Sequence, residues 1–405
     1  MIPRRDLAAL AAAGVAGWMM GIAAWGDGRA PVLGLVFPLA IAVCRSRWQA
    51  FILCAGYMGA TVRFNRDFMN TWFDGQIIPS LGWLGLVIFA ATIWSISWTS
   101  SKRPTHRSLF CAAGWLAAGF TPAAALIAGH PLVVAGYLMP GWGWTGVVVA
   151  AIAAPAAVYG MARLQLEARM EIAIVALAGA VLAGIGPFLE RPVPAQVRGV
   201  ATVDTAWGRL AGADAALSRM AAMGQTQSGA AAQASVFIWP ESIIGRYEPS
   251  LYPVLDLEVL RQSRHAGRVP VVGLDIPVGP DRLQSAAVAF YPDGSTATAV
   301  ARQPVPGALW KPWSTEGSFV ADWSASNLLD LGQGDRAAFY FCYEELLPSL
   351  FLLNELMDKP TMYVALSNTW ADASGGADRL QRLHSHGMAL LFGRAYLRSV
   401  NRPVP

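Results

Sequence analysis

The sequence predicts two parts of different class, an N-terminal α-helical transmembrane bundle over residues 1–190 and an α/β sandwich over residues 195–405. Three observations carry this. The 405 residues are 55% hydrophobic and only 14% charged, with positive mean hydropathy, which is too apolar for two ordinary soluble domains. The excess lies almost wholly before residue 190, in apolar runs close to the roughly 20 residues that cross a bilayer. Beyond Glu190-Arg191-Pro192 the texture changes to short apolar strands, polar loops and amphipathic helices, which marks the boundary.

Seven candidate spans are expected, at 7–25, 31–44, 49–64, 81–99, 109–128, 144–161 and 172–189. Glycine and proline within them are tolerated, because neighbouring helices re-satisfy freed backbone groups. No small-residue cleavage site is followed by a soluble stretch, so a cleaved signal peptide is not expected. Lys and Arg in short loops set orientation, since cations are held on the cytoplasmic side. Alternate loops carry Arg4, Arg5, Arg45, Arg47, Lys102, Arg103, Arg107, Arg163 and Arg169, against Arg29, Arg66 and Arg191 in the other set. An inside N-terminus and an odd span count place the C-terminal domain in the periplasm of a Gram-negative cell, with the chain in the inner membrane. Charges inside the spans are few, and Arg63 can snorkel from a helix end, so no ion path is expected. The segment 64–80, with Arg66, Asp67, Trp72 and Asp74, reads as a polar and aromatic interfacial loop more readily than as a substrate contact. Only Lys102, Lys311 and Lys359 are lysines and the arginines are dispersed or cluster at helix ends, so the net charge of +4 reads as a topology signal and no nucleic-acid contact is expected.

In the second part, 197–203 and 235–239 read as buried strands separated by an Ala-rich helix, and 269–275 continues the pattern. The runs 285–291 and 296–302 form an expected hairpin around Pro292-Asp293-Gly294, whose residue types suit a tight turn. A strand at 337–341, a helix through 351–357 and a strand at 361–366 complete an α/β alternation.

Three strand ends carry chemistry. Phe237-Ile238-Trp239-Pro240-Glu241-Ser242 puts a carboxylate just past an apolar strand, a position that a helix-capping Glu also fills. Phe339-Tyr340-Phe341-Cys342-Tyr343-Glu344-Glu345 delivers a thiol to another strand end. Cys44, Cys54 and Cys111 lie in the apolar helices and fit the buried small-hydrophobe role. Cys342 is the only cysteine of a domain expected in an oxidising compartment, so it has no internal disulfide partner there. With an ordinary pKa of about 8.5 a thiol needs a neighbouring base or cation to act as a nucleophile, and Glu241 could be that base. Ser367-Asn368-Thr369-Trp370 ends a third strand. The three together point to a site, because α/β active sites gather at the carboxyl ends of strands. The five histidines show no zinc-type spacing, and His384 and His386 share a helix without further ligands, so neither a metal nor an organic cofactor is expected.

These motifs, Trp239-Pro-Glu-Ser242, Cys342-Tyr-Glu344, Ser367-Asn-x-Trp370 and Arg394-Ala395, resemble in type and order those of the nitrilase superfamily of carbon-nitrogen hydrolases. Within it the chain is similar to bacterial apolipoprotein N-acyltransferases, which place a membrane bundle before a periplasmic nitrilase domain. The cationic turn Arg45-Ser-Arg47 leading to Phe51, Gly56 and Gly59 adds to the likeness. The run from Pro131 to Trp142 and the short length resemble the conjugal transfer TraB branch of rhizobial plasmids. The resemblance implies a nitrilase-type αββα sandwich; the family continues beyond Val400 through further strands and a last membrane helix, so the expectation is either a C-terminally truncated chain or a pared-down branch.

Carried over, the family's Glu-Lys-Cys site places the base at Glu241, the nucleophile at Cys342 and a supporting acid at Glu344, with Asn368 and Trp370 in the third motif. The lysine departs from the pattern. Aligning Val305-Pro306-Gly307 puts Arg302 near its place, and Lys311 follows nine residues later. Arginine can donate to an oxyanion but cannot give up its proton, so the exchange is not neutral. Thr369 likewise stands where the family has an acid. The resemblance implies a thiol acyltransferase that forms an acyl-thioester on Cys342 from membrane phospholipid and passes it to an amine of a lipoprotein or other acceptor. The same residues would serve an amidase or nitrilase with water as acceptor. The altered lysine motif also fits a weakened or non-catalytic membrane component of the conjugation machinery.

Overall fold

The computed structural model describes residues 4–26, 31–75, 78–120, 128–164, 197, 199–229, 234–314, 316–332 and 334–405. The chain divides into two compact units, one of Met1–Pro192, Leu346–Ser349 and Arg382–Gly393, the other of Val193–Glu345, Leu350–Gln381 and Arg394–Pro405.

The first unit is helical: α1 (Arg4–Gly21), α2 (Phe37–Ala42), α3 (Arg47–Thr61), α4 (Asn65–Trp72), α5 (Pro79–Trp94), α6 (Pro104–Phe120), α7 (Pro131–Leu138) and α8 (Gly143–Arg163). Among the described residues three helical stretches, Asp6–Gly26, Pro79–Ser97 and Gly143–Arg163, are long and apolar enough to cross a membrane. Only 22%, 28% and 33% of their apolar windows are buried, so most of that surface faces outward, as a lipid-facing helix requires and a water-facing one does not. The expected spans at 49–64 and 109–128 fall on α3 and α6, of 15 and 17 residues. That at 31–44 is divided between a short 3₁₀ turn and α2, and that at 172–189 lies outside the described residues, as does the 190–192 boundary. The expected interfacial loop contains a helix, α4, with no buried residue and with Phe68 stacked on Trp72 at 5.5 Å.

Small residues let these helices touch. A Cβ at Gly17 of α1 would lie 2.0 Å from the Leu53 carbonyl oxygen of α3, and one at Gly56 of α3 would lie 2.2 Å from that of Gly14. This is the small-residue contact by which membrane helices pack without a hydrophobic driving force between them. At the ends of the helices Arg45, Lys102, Arg107 and Arg163, from three separate connections, line one cavity of about 580 Å³.

Residues 382–393 join this unit for identifiable reasons. The ring Nε2 of His384 accepts from the Gly129 N–H at 2.8 Å, the Tyr137 hydroxyl donates to the Leu383 carbonyl at 2.8 Å, and Gly136 meets Gly387 with no room for a side chain.

The second unit holds two sheets. One has the order β1 (Val200–Thr202), β2 (Val236–Ile238), β3 (Val269–Pro277), β4 (Arg282–Phe290), β5 (Thr296–Val300), with β6 (Ser318–Phe319) beside β4. The other runs β10 (Ala395–Asn401), β9 (Met362–Asn368), β8 (Arg336–Phe341), β7 (Leu328–Asp330). Strands β1 to β3 and β8 to β10 are parallel within their sheets. The inward faces close on one core, in which Ile238, Val271 and Ala287 meet Phe339, Val364 and Leu366. Outside the first sheet, Met220 and Met223 of α9 (Gly212–Gly229) and Leu255 and Val259 of the helical run through His265 pack on Val272, Leu274 and Val288. Outside the second, Phe351 of α10 (Pro348–Met357) stacks on Tyr340 at 3.9 Å. The result is four layers in the order helix, sheet, sheet, helix.

The expected strands at 235–239, 269–275, 285–291, 296–302, 337–341 and 361–366 coincide with β2, β3, β4, β5, β8 and β9. The hairpin closes as expected, with Gly294 at φ +86°. β6, β7 and β10 were not expected. β10 pairs with β9 over its whole length, so the strand set does not stop at β9.

Candidate active site

The elements place three polar strand ends of the second unit together. Glu241 leaves β2 through a tight approach to β3, where a Cβ on Gly273 would stand 2.1 Å from the Pro240 carbonyl oxygen; only glycine admits this. Ser242 has φ +48° and its hydroxyl donates to Asp275 at 2.6 Å, which fixes the turn that carries Glu241. Glu241 itself is buried.

Cys342 follows β8 at φ +41°, a left-handed conformation that costs a non-glycine residue about 1–3 kcal/mol and recurs where a reactive group must be presented. Its thiol and the Glu241 carboxyl come within hydrogen-bonding reach of each other. The Asn368 backbone N–H donates to the sulfur, and the Gln381 amide Nε2 donates to Sγ at 3.2 Å. Three groups from β2, β9 and the helix α11 (Gly376–Phe392) thus surround one sulfur.

The electrostatics follow from burial and from a gathering of acids. Burial first, then the neighbouring Asp275 and Glu344, hold Glu241 well above the ordinary carboxylate range. Burial and then Glu241 push the Cys342 thiol up, while Asn368 and Gln381 pull the other way. Burial therefore disfavours the ionised form of both groups, and a carboxylate at 241 arises only at the cost of a buried charge. Burial also lifts Asp275 to about 6 against its hydrogen bonds from Ser242 and Ser285.

Glu344 acts as a clamp. Buried completely, it accepts from the backbone N–H groups of Arg302 at 2.6 Å, Gln303 at 2.7 Å and Phe341 at 2.9 Å. These donors favour its charged form, yet burial outweighs them and raises it to about 7. It ties the loop after β5 to the end of β8 beside Cys342.

Neither candidate cation is bonded to the sulfur among the described contacts. The guanidinium of Arg302 donates to the Ala325 carbonyl at 2.6 Å and Asn354 Oδ1 at 2.5 Å and lies 3.6 Å from Asp358, so it is committed away from the sulfur. Lys311 exchanges backbone hydrogen bonds with the Ser318 hydroxyl, and its ammonium pairs with neither Glu241 nor Cys342 among the described contacts. Trp370 faces Arg209, whose guanidinium lies 5.2 Å from the ring centre. Asn368 contributes its backbone to the sulfur, and its side chain accepts from Asn401 at 2.9 Å. Arg394 of the fourth motif grips Glu355 through two bonds, at 2.9 and 2.7 Å.

Sequence reasoning missed Gln381, Asp275 and the wholly buried Glu345, which accepts from Ser367 at 2.5 Å and from Tyr396 and Arg398 at 3.0 Å. Glu345, adjacent to the recognised Cys-Tyr-Glu, was the one with a visible signal. Gln381 lies on a helix surface with no motif around it. Among the described residues no group of three or more His, Cys, Asp or Glu is placed to hold a metal.

No family model matches the chain. Among solved structures, an amidase from Nesterenkonia sp. aligns at 18% identity with a TM-score of 0.38, covering 51% of this chain and 77% of that one. A mutant of the Nesterenkonia AN1 amidase from the nitrilase superfamily aligns at 17% and 0.35, covering 52% and 78%. Among curated proteins, a probable conjugal transfer protein TraB of Sinorhizobium fredii (strain NBRC 101917 / NGR234) is 26% identical over 404 residues, 96% of this chain and 97% of that protein. The conjugal transfer protein TraB of Agrobacterium fabrum (strain C58 / ATCC 33970) is 25% identical over 412 residues, 96% of this chain and 90% of that protein. Over nearly its whole length the chain is thus similar to the TraB conjugal transfer proteins, the likeness that the run from Pro131 to Trp142 and the short length suggested.

Proposed function

We propose that the chain is a membrane-embedded thiol acyltransferase with a nitrilase-type site, working in conjugal transfer. The observation that carries this reading is the meeting of the buried Glu241 carboxyl with the partly buried Cys342 thiol, with the sulfur facing two further N–H donors. In the reaction Glu241, as carboxylate, takes the Sγ proton while the sulfur attacks an ester carbonyl of a phospholipid. The tetrahedral oxyanion collapses, the alcohol leaves with the proton returned by Glu241, and an acyl-thioester remains on Cys342. An amine, such as the N-terminus of a lipoprotein, then attacks the thioester and restores the thiol. Lys311 is the proposed oxyanion partner, since Arg302 is occupied; one such donor supplies about 2.7–4 kcal/mol of barrier lowering.

The chain is proposed to lie in the bacterial inner membrane with seven spans and with the α/β domain in the periplasm. Support comes from the outward apolar faces of the three long helices and from the shared cavity of Arg45, Lys102, Arg107 and Arg163, all members of the loop set assigned to the cytoplasm.

One observation favours a second reading, a non-catalytic membrane component of conjugation. The charged groups that act most strongly on Glu241, Asp275 and Glu344 with Glu345 behind them, are acids, which disfavours the carboxylate it must become. Incubating the purified chain with phospholipid and an amine separates the readings by intact mass. An acyl adduct lost in Cys342→Ser, with acylated amine as product, supports the transferase. Hydrolysis of small amides without an adduct from lipid makes it an amidase, and inertness towards both leaves the non-catalytic role.

A further inference from the structure

Any chemistry at Cys342 needs the thiolate, and a thiolate forming in a partly buried place needs donors aimed at it. Among the described residues two donors reach the sulfur. The Asn368 backbone N–H is fixed by β9, whereas the Gln381 amide could in principle present either its oxygen or its nitrogen. Arg398 of β10 decides between them. Its Nη2 donates to Gln381 Oε1 at 2.9 Å, and a guanidinium has five donors and no acceptor. The amide oxygen must therefore face Arg398, which leaves Nε2 facing Sγ at 3.2 Å.

Arg398 is itself held from several sides. It is paired with the buried Glu345 at 3.0 Å, bonded to the Ser367 hydroxyl at 3.1 Å and paired with Asp378. Asp378 is in turn 3.1 Å from Arg402, which reaches Asp204 at 2.9 Å. This chain of charges fixes the guanidinium, and the guanidinium fixes the amide. Gln381 is 5% exposed, so no water competes freely for either end.

We propose that Gln381 is a catalytic residue that donates to the Cys342 thiolate, with Arg398 as the positioning residue that sets which end of the amide faces the sulfur. The proposal rests on the thiol chemistry proposed above but is tested without it. A hydrogen bond to a charged group contributes about 1.5–3 kcal/mol, which corresponds to a tenfold or greater change in thiolate population.

The test is the pH profile of Cys342 alkylation by iodoacetamide in the full chain, read by peptide mapping so that Cys44, Cys54 and Cys111 are scored separately. Gln381→Leu is expected to slow alkylation at a fixed pH by about tenfold or more and to move the profile to higher pH. Gln381→Glu keeps the shape and still meets Arg398, but presents no N–H to the sulfur; it is expected to slow alkylation too, which guards against misfolding of the first variant. Arg398→Lys keeps a partner for Glu345 without the planar fork and is expected to shift the profile in the same direction by less. Wild-type rates and profiles in both Gln381 variants would overturn the proposal. A wild-type chain that alkylates in the Gln381-dependent manner yet takes no acyl group from phospholipid would instead sink the transferase reading and leave Gln381 as the thiolate donor.

Discussion

At the scale of the residue, the site is defined by acids held away from water. Asp275 and Glu344 have ordinary values of 3.8 and 4.5 and are raised to about 6 and about 7 in the fold. Between those values the folded chain binds more protons than the unfolded one, so stability falls as pH rises. The contribution of each acid is complete below its ordinary value and is lost as pH passes its raised one. Asp275→Asn removes one of these protons from the balance, and its melting temperature is expected to decline less than wild type between about pH 4 and pH 7. A steeper decline in the variant would mean that Asp275 is stabilised as a carboxylate. The same acids explain why Glu241 was legible and its environment was not. A carboxylate after Phe237-Ile238-Trp239-Pro240 is visible in the chain, but Asp275, Glu344 and Gln381 act on the pair only because separate strands and a helix end at one point. Cys342 was visible for a further reason, as the only cysteine in the sequence after residue 190.

At the scale of the element, period and turn chemistry foretold the strands whose runs are uniformly apolar, such as Arg336–Phe341, where five of six residues are buried. β10 escaped because Arg398 and Asn401 interrupt its apolar pattern and read as solvent-facing. In the fold Asn401 is fully buried, accepting from Thr205 at 2.9 Å and donating to Gly208 and Asn368 at 2.8 and 2.9 Å, and Arg398 is paired with Glu345. A buried polar residue with all its partners supplied is indistinguishable in sequence from an exposed one. Among the helices, α1 and α3 meet through Gly17 and Gly56, where added atoms would strike backbone. Gly56→Val is expected to force them apart, with a loss of about 1–3 kcal/mol or more, read as a lower melting temperature of the detergent-purified chain. Unchanged melting would show that the helices do not cross at these glycines.

At the scale of the whole molecule, the membrane reading rests on length, outward apolar faces and the asymmetry of basic loops. Among the described residues three helices satisfy length and composition; α3 and α6 are shorter, and hydropathy alone does not separate a short span from a buried helix. Single cysteines at Ser101 and at Asp293, in a background where native cysteines are replaced, are expected to differ in whole cells: an impermeant maleimide labels the second and not the first. Labelling of both, or of Ser101 alone, would reverse the orientation derived from the basic loops. The central claim concerns Glu241 and Cys342 acting as one unit, and its most direct measurement is the rate at which isotope-labelled acyl groups from phospholipid appear on the Cys342 peptide. The account predicts a hydroxylamine-labile adduct on that cysteine in the wild-type chain, formed about a hundredfold or more slowly in Glu241→Gln. An adduct on another residue, or equal rates in the two proteins, would contradict it.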